Sequence, residues 1–300
     1  MPELPDVTVY VESIAARVAG QPVEGIRVAS PFVVRTFDPP LAAAAGKRVQ
    51  VVRRLGKRIV FALEEGLFLV IHLMIAGRFR WRERGAKIPG KVGLAAIDFP
   101  SGTLVLTEAA TKKRASIHLA RSLDEFRRSG IEPLECTAEG FGAALRRENH
   151  TLKRALTDPR LFSGIGNAYS DEILHRAKLS PALLTQRMSA EDAAALFQAT
   201  RAVLDEWTGR LRAEAREKFP ERVTAFRDDF AVHGKYRKPC PVCGTAVQRI
   251  AYADNETNYC PRCQTGGKLL SDRSLARLLH DDWPRTIEEL EERLPSPRSK

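Results

Sequence analysis

Between about residue 21 and residue 120, apolar residues recur at every second position or in short unbroken runs. Val49, Val51, Ile59, Phe61, Leu63, Leu67, Leu69 and Ile71 carry the pattern. A period of two puts alternate side chains on one face of a strand. Glu64-Glu65-Gly66 and Pro100-Ser101-Gly102 supply turns between such runs. The pattern predicts a β-rich N-terminal domain, either a sandwich or a closed barrel. Ahead of it, Val7, Val11, Ile14 and Val18 follow helical spacing, with Pro5 in the first turn and Gly20 as the stop. Pro2 and Glu3 therefore stand just before a helix N-terminus, where the dipole favours anions.

Beyond the strands the period lengthens to that of a helix. Phe141 to Thr157 reads as one helix, and Ala168 to Ala177 as another after the glycine turn Ser163-Gly164-Ile165-Gly166-Asn167. Asn167 is expected at the N-cap of the helix holding Asp171 and Glu172. Free N–H groups there could take a phosphate, although most such turns only connect helices. Ser189 with Asp192 makes a capping pattern, followed by Leu196, Val203, Trp207 and Leu211 on one face. From Ala213 through Asp229 charge dominates, which reads as a linker or mobile loop. Leu269 to Leu279 is amphipathic, Ile287 to Leu294 reads as a short acidic helix packing locally, and Pro295 to Lys300 as a loose end.

Cysteine spacing adds what periodicity cannot. Cys240 and Cys243 form one C-x2-C pair, Cys260 and Cys263 a second, with Gly244 to Tyr259 between them. Two such pairs can each grip one side of a tetrahedral ion, and four thiolates suit one structural Zn(2+). The competing reading is reduced or disulfide-bonded cysteines without metal. Alternating apolar positions from Ala246 to Ala253 and the Asp254-Asn255 turn place a hairpin between the pairs. A closed four-thiolate site does no chemistry, so catalysis would lie elsewhere. Cys136 is left over and reads as a plain thiol. Cysteines used this way indicate a reducing interior.

The chain has 300 residues and a formal net charge of +11. Such an excess points first to a polyanionic partner, nucleic acid above all, with plain solubility charge as the bland alternative. Arg53-Arg54-Leu55-Gly56-Lys57-Arg58 and Lys112-Lys113-Arg114 are basic turns on the β domain, suited to a phosphate-lined groove. No apolar run reaches the ~20 residues of a membrane span, and no signal segment opens the chain. A soluble, cytoplasmic, nucleoid-associated monomer without membrane contact is expected.

Taken in order, MPELPD, the Gly56-Lys57 pair, LKRALTD at Leu152 to Asp158, GIGNAYSDEIL at Gly164 to Leu174, CPVCG and YCPRCQ make a series. Over about residues 1 to 268 the chain resembles DNA glycosylases of the formamidopyrimidine/endonuclease VIII family. The resemblance implies an α+β chain with four parts. These are an N-terminal catalytic β-sandwich domain (1–135), a helix–two-turn–helix DNA-binding domain (136–232), a zinc-finger hairpin (233–268) and a C-terminal extension (269–300). It implies a damaged-DNA partner, bound through its backbone and its flipped lesion, and a base-excision repair glycosylase with AP lyase activity. The nucleophile would be the amine of Pro2 after removal of Met1, with Glu3 as general acid and Lys57 on a phosphate beside the lesion. Without the resemblance, Glu3 would read as an exposed first-turn carboxylate and Lys57 as a loop lysine. Lys153 and Asn167 match the family's phosphate contacts. A terminal amine has a reference pKa of about 8, against about 10.4 for lysine, so more of it is neutral near pH 7.

Three segments depart from the family pattern. His72-Leu73-Met74-Ile75-Ala76-Gly77 stands where the family has HLGMSG, so the wedge position holds Ile75, or Met74 after a local shift. Ala110 to Ala115 replaces DPRRFG, putting Lys112 in the place of the arginine that probes the orphaned base and Arg114 in that of the stacking phenylalanine. Lysine lacks the planar fork. Asn255 fills the slot of the hairpin arginine between Asp254 and Glu256. The formamidopyrimidine/8-oxoguanine type of lesion is favoured by the MPELPD start. Oxidised pyrimidines, single-stranded DNA and a non-catalytic zinc-containing DNA-binding paralogue are the alternatives.

Overall fold

The structure is a computed structural model of the chain and describes residues 1–221, 223, 227–252, 255–270 and 284–293. By internal packing the chain divides into two compact units. One comprises Met1–Ser129 with Leu204–Ala225, the other Gly130–Val203 with Phe226–Lys300.

The first unit opens with helix α1 (Leu4–Val18), which buries Val7, Tyr10, Ile14 and Val18. Eight strands follow: β1 (Gly25–Val28), β2 (Val49–Leu55), β3 (Arg58–Leu63), β4 (Phe68–His72), β5 (Gly77–Arg82), β6 (Gly93–Phe99), β7 (Gly102–Glu108) and β8 (Ser116–Ala120). They form two antiparallel four-stranded sheets, ordered β1-β6-β7-β5 and β2-β3-β4-β8. Ile59, Phe61 and Ile71 of one sheet share a single core with Ile97, Leu104 and Leu106 of the other. Of the two architectures expected, the unit is thus a sandwich. Hairpins set its register: β2 and β3 meet through Gly56-Lys57, pairing Leu55 with Arg58, with Gly56 at φ 61°. The Leu73–Gly77 turn between β4 and β5 closes so tightly that a Cβ on Gly77 would lie 2.2 Å from the Leu73 carbonyl oxygen. Only glycine fits there.

The charged segment from Ala213 is not a free linker. Helix α5 continues to Glu214, and beyond it Phe219 and Val223 are buried in the sandwich core at 7% and 6% exposure. Phe219 packs against Tyr10 and Trp81 with ring centroids 5.9 and 6.5 Å apart. Arg82 forms an ion pair with Glu221, and Arg212 pairs with Glu12 at 2.6 Å. Charge density hid two apolar anchors and their distant ionic partners.

In the second unit the span read as one helix from Phe141 to Thr157 is two, α2 (Ala138–Arg146) and α3 (Leu152–Thr157). Thr137 caps the first through the Gly140 N–H, and Thr151 caps the second through the Arg154 N–H. A threonine that starts a new helix interrupts the apolar period without a glycine or proline to announce it. Helix α4 (Asn167–Arg176) has Gly166 in the cap position, so Asn167 is its first residue and not its cap. Helix α5 (Ala190–Glu214) starts with the expected reciprocal Ser189–Asp192 bonds. Strands β9 (Gln248–Ala251) and β10 (Glu256–Tyr259) make the hairpin, and α6 (Pro261–Thr265) follows. Ile287–Arg293 is helical. Residues 271–279 of the amphipathic stretch, Leu294 and the tail from Pro295 lie outside the described residues.

Candidate active site and metal centre

The start of α1 gathers several of the residues singled out from the sequence. Pro2 is buried, and Glu3, the N-cap residue, is only 2% exposed. An unrelated first-turn carboxylate would face water. Here Glu3 and Asp6 complete a reciprocal capping box: the Glu3 carboxylate accepts the Asp6 backbone N–H, and the Glu3 N–H donates to Asp6 Oδ2 at 2.9 Å. The chain's terminal amine, on Met1, is pushed below its ordinary pKa first by burial. Glu3 and Asp6 oppose the shift, while Arg78 and Lys57 reinforce it. Lys57, half-buried in the β2–β3 turn, is thereby placed within electrostatic reach of the amine. Arg78 was not singled out from the sequence, where it is one of many arginines on a basic strand.

Two loops rise from the same unit. Ile75 is 51% exposed at the β4–β5 turn, while Met74 sits beside it in left-handed backbone at φ 53° and is only part-exposed. In the β7–β8 loop the buried Glu108 carboxylate accepts the backbone N–H groups of Arg114 and Ala115 at 2.8 and 3.1 Å. Lys113 donates back to the Glu108 carbonyl. Lys113 is thus used inside the loop, and Lys112 and Arg114 are exposed.

In the second unit, the four cysteine sulfurs lie within 4.8 Å of one another. Cys240 and Cys263 sulfurs are 3.9 Å apart, Cys243 and Cys260 3.4 Å. Sulfurs at ~2.3 Å around a tetrahedral zinc would be ~3.8 Å apart, so the donor set fits that ion. Burial pushes the Cys260 thiol up to about 11. Ionising the cluster together requires a cation at its centre. Glu148, His150 and Asp158 also converge, but Arg160 pairs with both carboxylates at 3.2 and 2.7 Å.

A family model described as the formamidopyrimidine-DNA glycosylase N-terminal domain matches residues 1–122. The H2TH domain of the same glycosylase matches 130–210, and a zinc finger found in FPG and IleRS matches 237–266. The chain belongs to the formamidopyrimidine-DNA glycosylase family. The formamidopyrimidine-DNA glycosylase of Thermus thermophilus is 34% identical over 276 residues, covering 89% of this chain and all of that one. Its crystal structure superposes with a TM-score of 0.74 at 32% identity, over 88% of this chain and 98% of that one. The Lactococcus lactis Fpg bound to abasic-site DNA gives a TM-score of 0.77 at 25% identity, over 88% and 99%. One structural zinc ion belongs with this family's finger and with the four sulfurs.

Helix α4, the family's GIGNAYSDEIL segment, ties this unit together. The Glu172 carboxylate accepts the backbone N–H groups of Ala231, Val232 and His233 at 2.8–2.9 Å. Asp171 accepts from His233 Nδ1 at 2.7 Å and from the Asn258 N–H at 3.2 Å. His175 Nε2 lies 3.3 Å from the Cys240 sulfur. Burial pushes the His175 pKa down, so the ring is neutral and can donate one N–H to a thiolate. We expect His175→Ala to weaken zinc affinity about 10–100-fold, read by competition with a chromophoric chelator. An unchanged affinity would make the contact mere packing.

Lys153 Nζ donates to the Asn167 carbonyl at 2.6 Å, to Ser170 Oγ at 2.8 Å and to Asp171 Oδ1 at 2.6 Å. These bonds use all three ammonium protons. Lys153→Ala should therefore destabilise the unit by about 3 kcal/mol, because it removes the cation facing a fully buried carboxylate. Chemical denaturation with the Lys153→Ala, Asp171→Asn and double variants would check it. Additive single effects would contradict the coupling. Asn255, exposed at the hairpin, accepts the Tyr252 N–H at 2.7 Å through its carbonyl. Asp254 lies outside the described residues.

Proposed function

We propose that this glycosylase removes oxidised bases from damaged DNA, with formamidopyrimidine and 8-oxoguanine lesions as the favoured substrates, and then cuts the strand as an AP lyase. The reading rests on one observation above the others: a buried Glu3 carboxylate held by the α1 cap next to the amine end of the chain. Once Met1 is removed, the Pro2 nitrogen attacks C1′ of the damaged nucleotide, and the glycosidic bond breaks as the base leaves with its electron pair. Glu3 gives a proton to the ring oxygen as the sugar opens, leaving a Pro2 iminium at C1′. The iminium draws electrons from the adjacent C–H bond. Loss of that proton expels the 3′ phosphate (β-elimination), and a second elimination expels the 5′ phosphate. The target base must leave the stack to expose C1′. Lys57 would hold a phosphate beside the lesion. Ile75, the exposed apolar tip, would fill the void, with Met74 behind it. Lys112 and Arg114 would face the orphaned base, where a lysine reads cytosine less strictly than an arginine fork. Lys153 and Asn167 would shape the phosphate-binding turn, and Asn255 would offer a neutral hydrogen bond in place of a charge. The soluble monomer would act on the nucleoid, in the cytoplasm.

Borohydride trapping tests the reading. The Met1-free chain, mixed with abasic-site DNA and reduced, should give a covalent protein–DNA adduct, and the chain that keeps Met1 should not. DNA binding without any adduct would leave a metal-pinned DNA binder of the same fold.

A further inference from the structure

Two connections of the sandwich cross between its sheets at the same place. The β4–β5 turn (residues 73–76) leaves from His72 and enters β5 at Gly77, and the β7–β8 loop (residues 109–115) leaves from Glu108 and enters β8 at Ser116. Their four ends are paired. His72 lies opposite Ser116 in the β4–β8 ladder, and Gly77 lies opposite Glu108 in the β5–β7 ladder. The turn that presents Ile75 and the loop that presents Lys112 and Arg114 therefore start and finish as neighbours. Little in the loop's own sequence gives it a shape. Residues 109–115 (AATKKRA) contain no glycine or proline to fix a turn, no carboxylate, and three consecutive cations that repel one another. The brace comes from the strand before it. Glu108 is buried, and its Oε2 accepts the backbone N–H groups of Arg114 at 2.8 Å and Ala115 at 3.1 Å, while its carbonyl accepts Lys113. Bonds to a carboxylate are stronger than bonds between neutral groups. Across the ladder, Arg78 ties the other turn: its Nη1 donates to the carbonyls of Gly77 at 2.6 Å and Ile75 at 3.2 Å. The Glu108 carboxylate also acts electrostatically on that guanidinium.

We propose that Glu108 is a positioning residue that sets which base the protein accepts opposite a lesion, by holding Lys112 and Arg114 in fixed register with Ile75. The proposal rests on the DNA roles given above to those three side chains. The four bases differ in where their edges carry donors and acceptors. A cation on a loose loop can follow any of these patterns, so it adds affinity with little choice. Choice requires a donor held in place, since a displacement of about 1 Å is enough to spoil a productive geometry. Glu108 supplies that constraint from the ladder position shared by both connections. The apolar tip that enters the gap and the cations that meet the orphaned base then act as one rigid reader.

The test measures, by fluorescence anisotropy, the affinity of the full chain for a duplex carrying one uncleavable abasic-site analogue opposite cytosine, guanine, adenine or thymine. Binding needs no chemistry, so the outcome is independent of the lyase reading, which borohydride trapping decides. The parent should prefer one opposite base by about fivefold or more, the worth of roughly one hydrogen bond. Glu108→Gln, whose side-chain carbonyl can accept the same two N–H groups, should keep that preference. Glu108→Asp, whose carboxylate is withdrawn by one methylene, should shrink it to about twofold or less. In the free chain, amide exchange at Arg114 and Ala115 should be slow in the parent and faster in Glu108→Asp, with β3 and β4 unchanged. A preference retained in Glu108→Asp, or four affinities that fall by the same factor, would overturn the proposal. So would a parent that binds all four duplexes alike, or unprotected Arg114 and Ala115 amides in the parent, a result that needs no variant to fold.

Discussion

With Glu3 as the proton donor proposed above, its replacement by glutamine should lower the rate of strand cleavage at a lesion about 10²–10⁴-fold without unfolding the chain. The expectation follows from what the side chain does twice. Its carboxylate accepts the Asp6 backbone N–H as part of the α1 cap, and a glutamine carbonyl can accept the same bond. Its proton is what a glutamine cannot supply. Near-isosteric replacement inside a residue only 2% exposed therefore separates the chemistry from the fold. Single-turnover cleavage of a lesion-containing duplex gives the rate, and fluorescence anisotropy on the same duplex gives the affinity. A loss smaller than tenfold would remove Glu3 as the proton donor. A matching loss of affinity would show that the cap, and not the acid, was disturbed.

Cys243→Ser, or a strong chelator, should unfold the finger while the sandwich stays intact. Four thiolates around zinc contribute apparent binding free energy of about 10–16 kcal/mol, and in small metal sites that energy is folding energy. The local apolar cluster is small: Val232, Val247 and the buried cysteines Cys240 and Cys260, with Ala231 and Cys263 packed against it. Without the ion, β9 and β10 keep only their ladder, this small cluster and the bonds to α4 described below. DNA affinity should fall at least about tenfold, and amide exchange should rise through residues 237–266 and stay slow in β3 and β7. Glu172, through three backbone N–H groups, and Asp171, through His233 and Asn258, fasten this region to α4. Disturbance should therefore reach the α4 amides as well. Zinc content, hydrogen exchange and anisotropy on one sample decide the matter. A metal-free chain with unchanged affinity would show that the finger takes no part in binding.

Arginine at position 78 could not have been found from the sequence. Its side chain lies between the β4–β5 turn carbonyls of Ile75 and Gly77 and the carboxylates of Asp6 and Glu108, which act on it electrostatically, and such placement depends on which strands become neighbours. The Lys153–Asp171–His233–Asn258 network is of the same kind, since its members are 18, 62 and 87 residues from Asp171 or its partners. Local signals were missed as well. Thr137 and Thr151 are both good caps, yet a break between two helices that keep the apolar period is invisible when only apolar positions are counted. Phe219 and Val223 were masked by charge because the few apolar residues scattered between Ala213 and Asp229 give no period at all.

The sequence by itself determined the features whose partners are near in the chain: the strands and their turns, the α1 start that carries Pro2 and Glu3, the paired cysteines and the family. Each depends on contacts within a turn, a hairpin or a four-residue motif, so neighbours in sequence are neighbours in space. Tertiary structure decided which ionisable groups are buried, which are cancelled and which are left to act. Electrostatic energy depends on distance and on the water excluded between charges, and neither quantity is written in the order of residues. That is why Glu3 could be named from the sequence while its burial and the commitment of Lys153 to Asp171 came only with the fold.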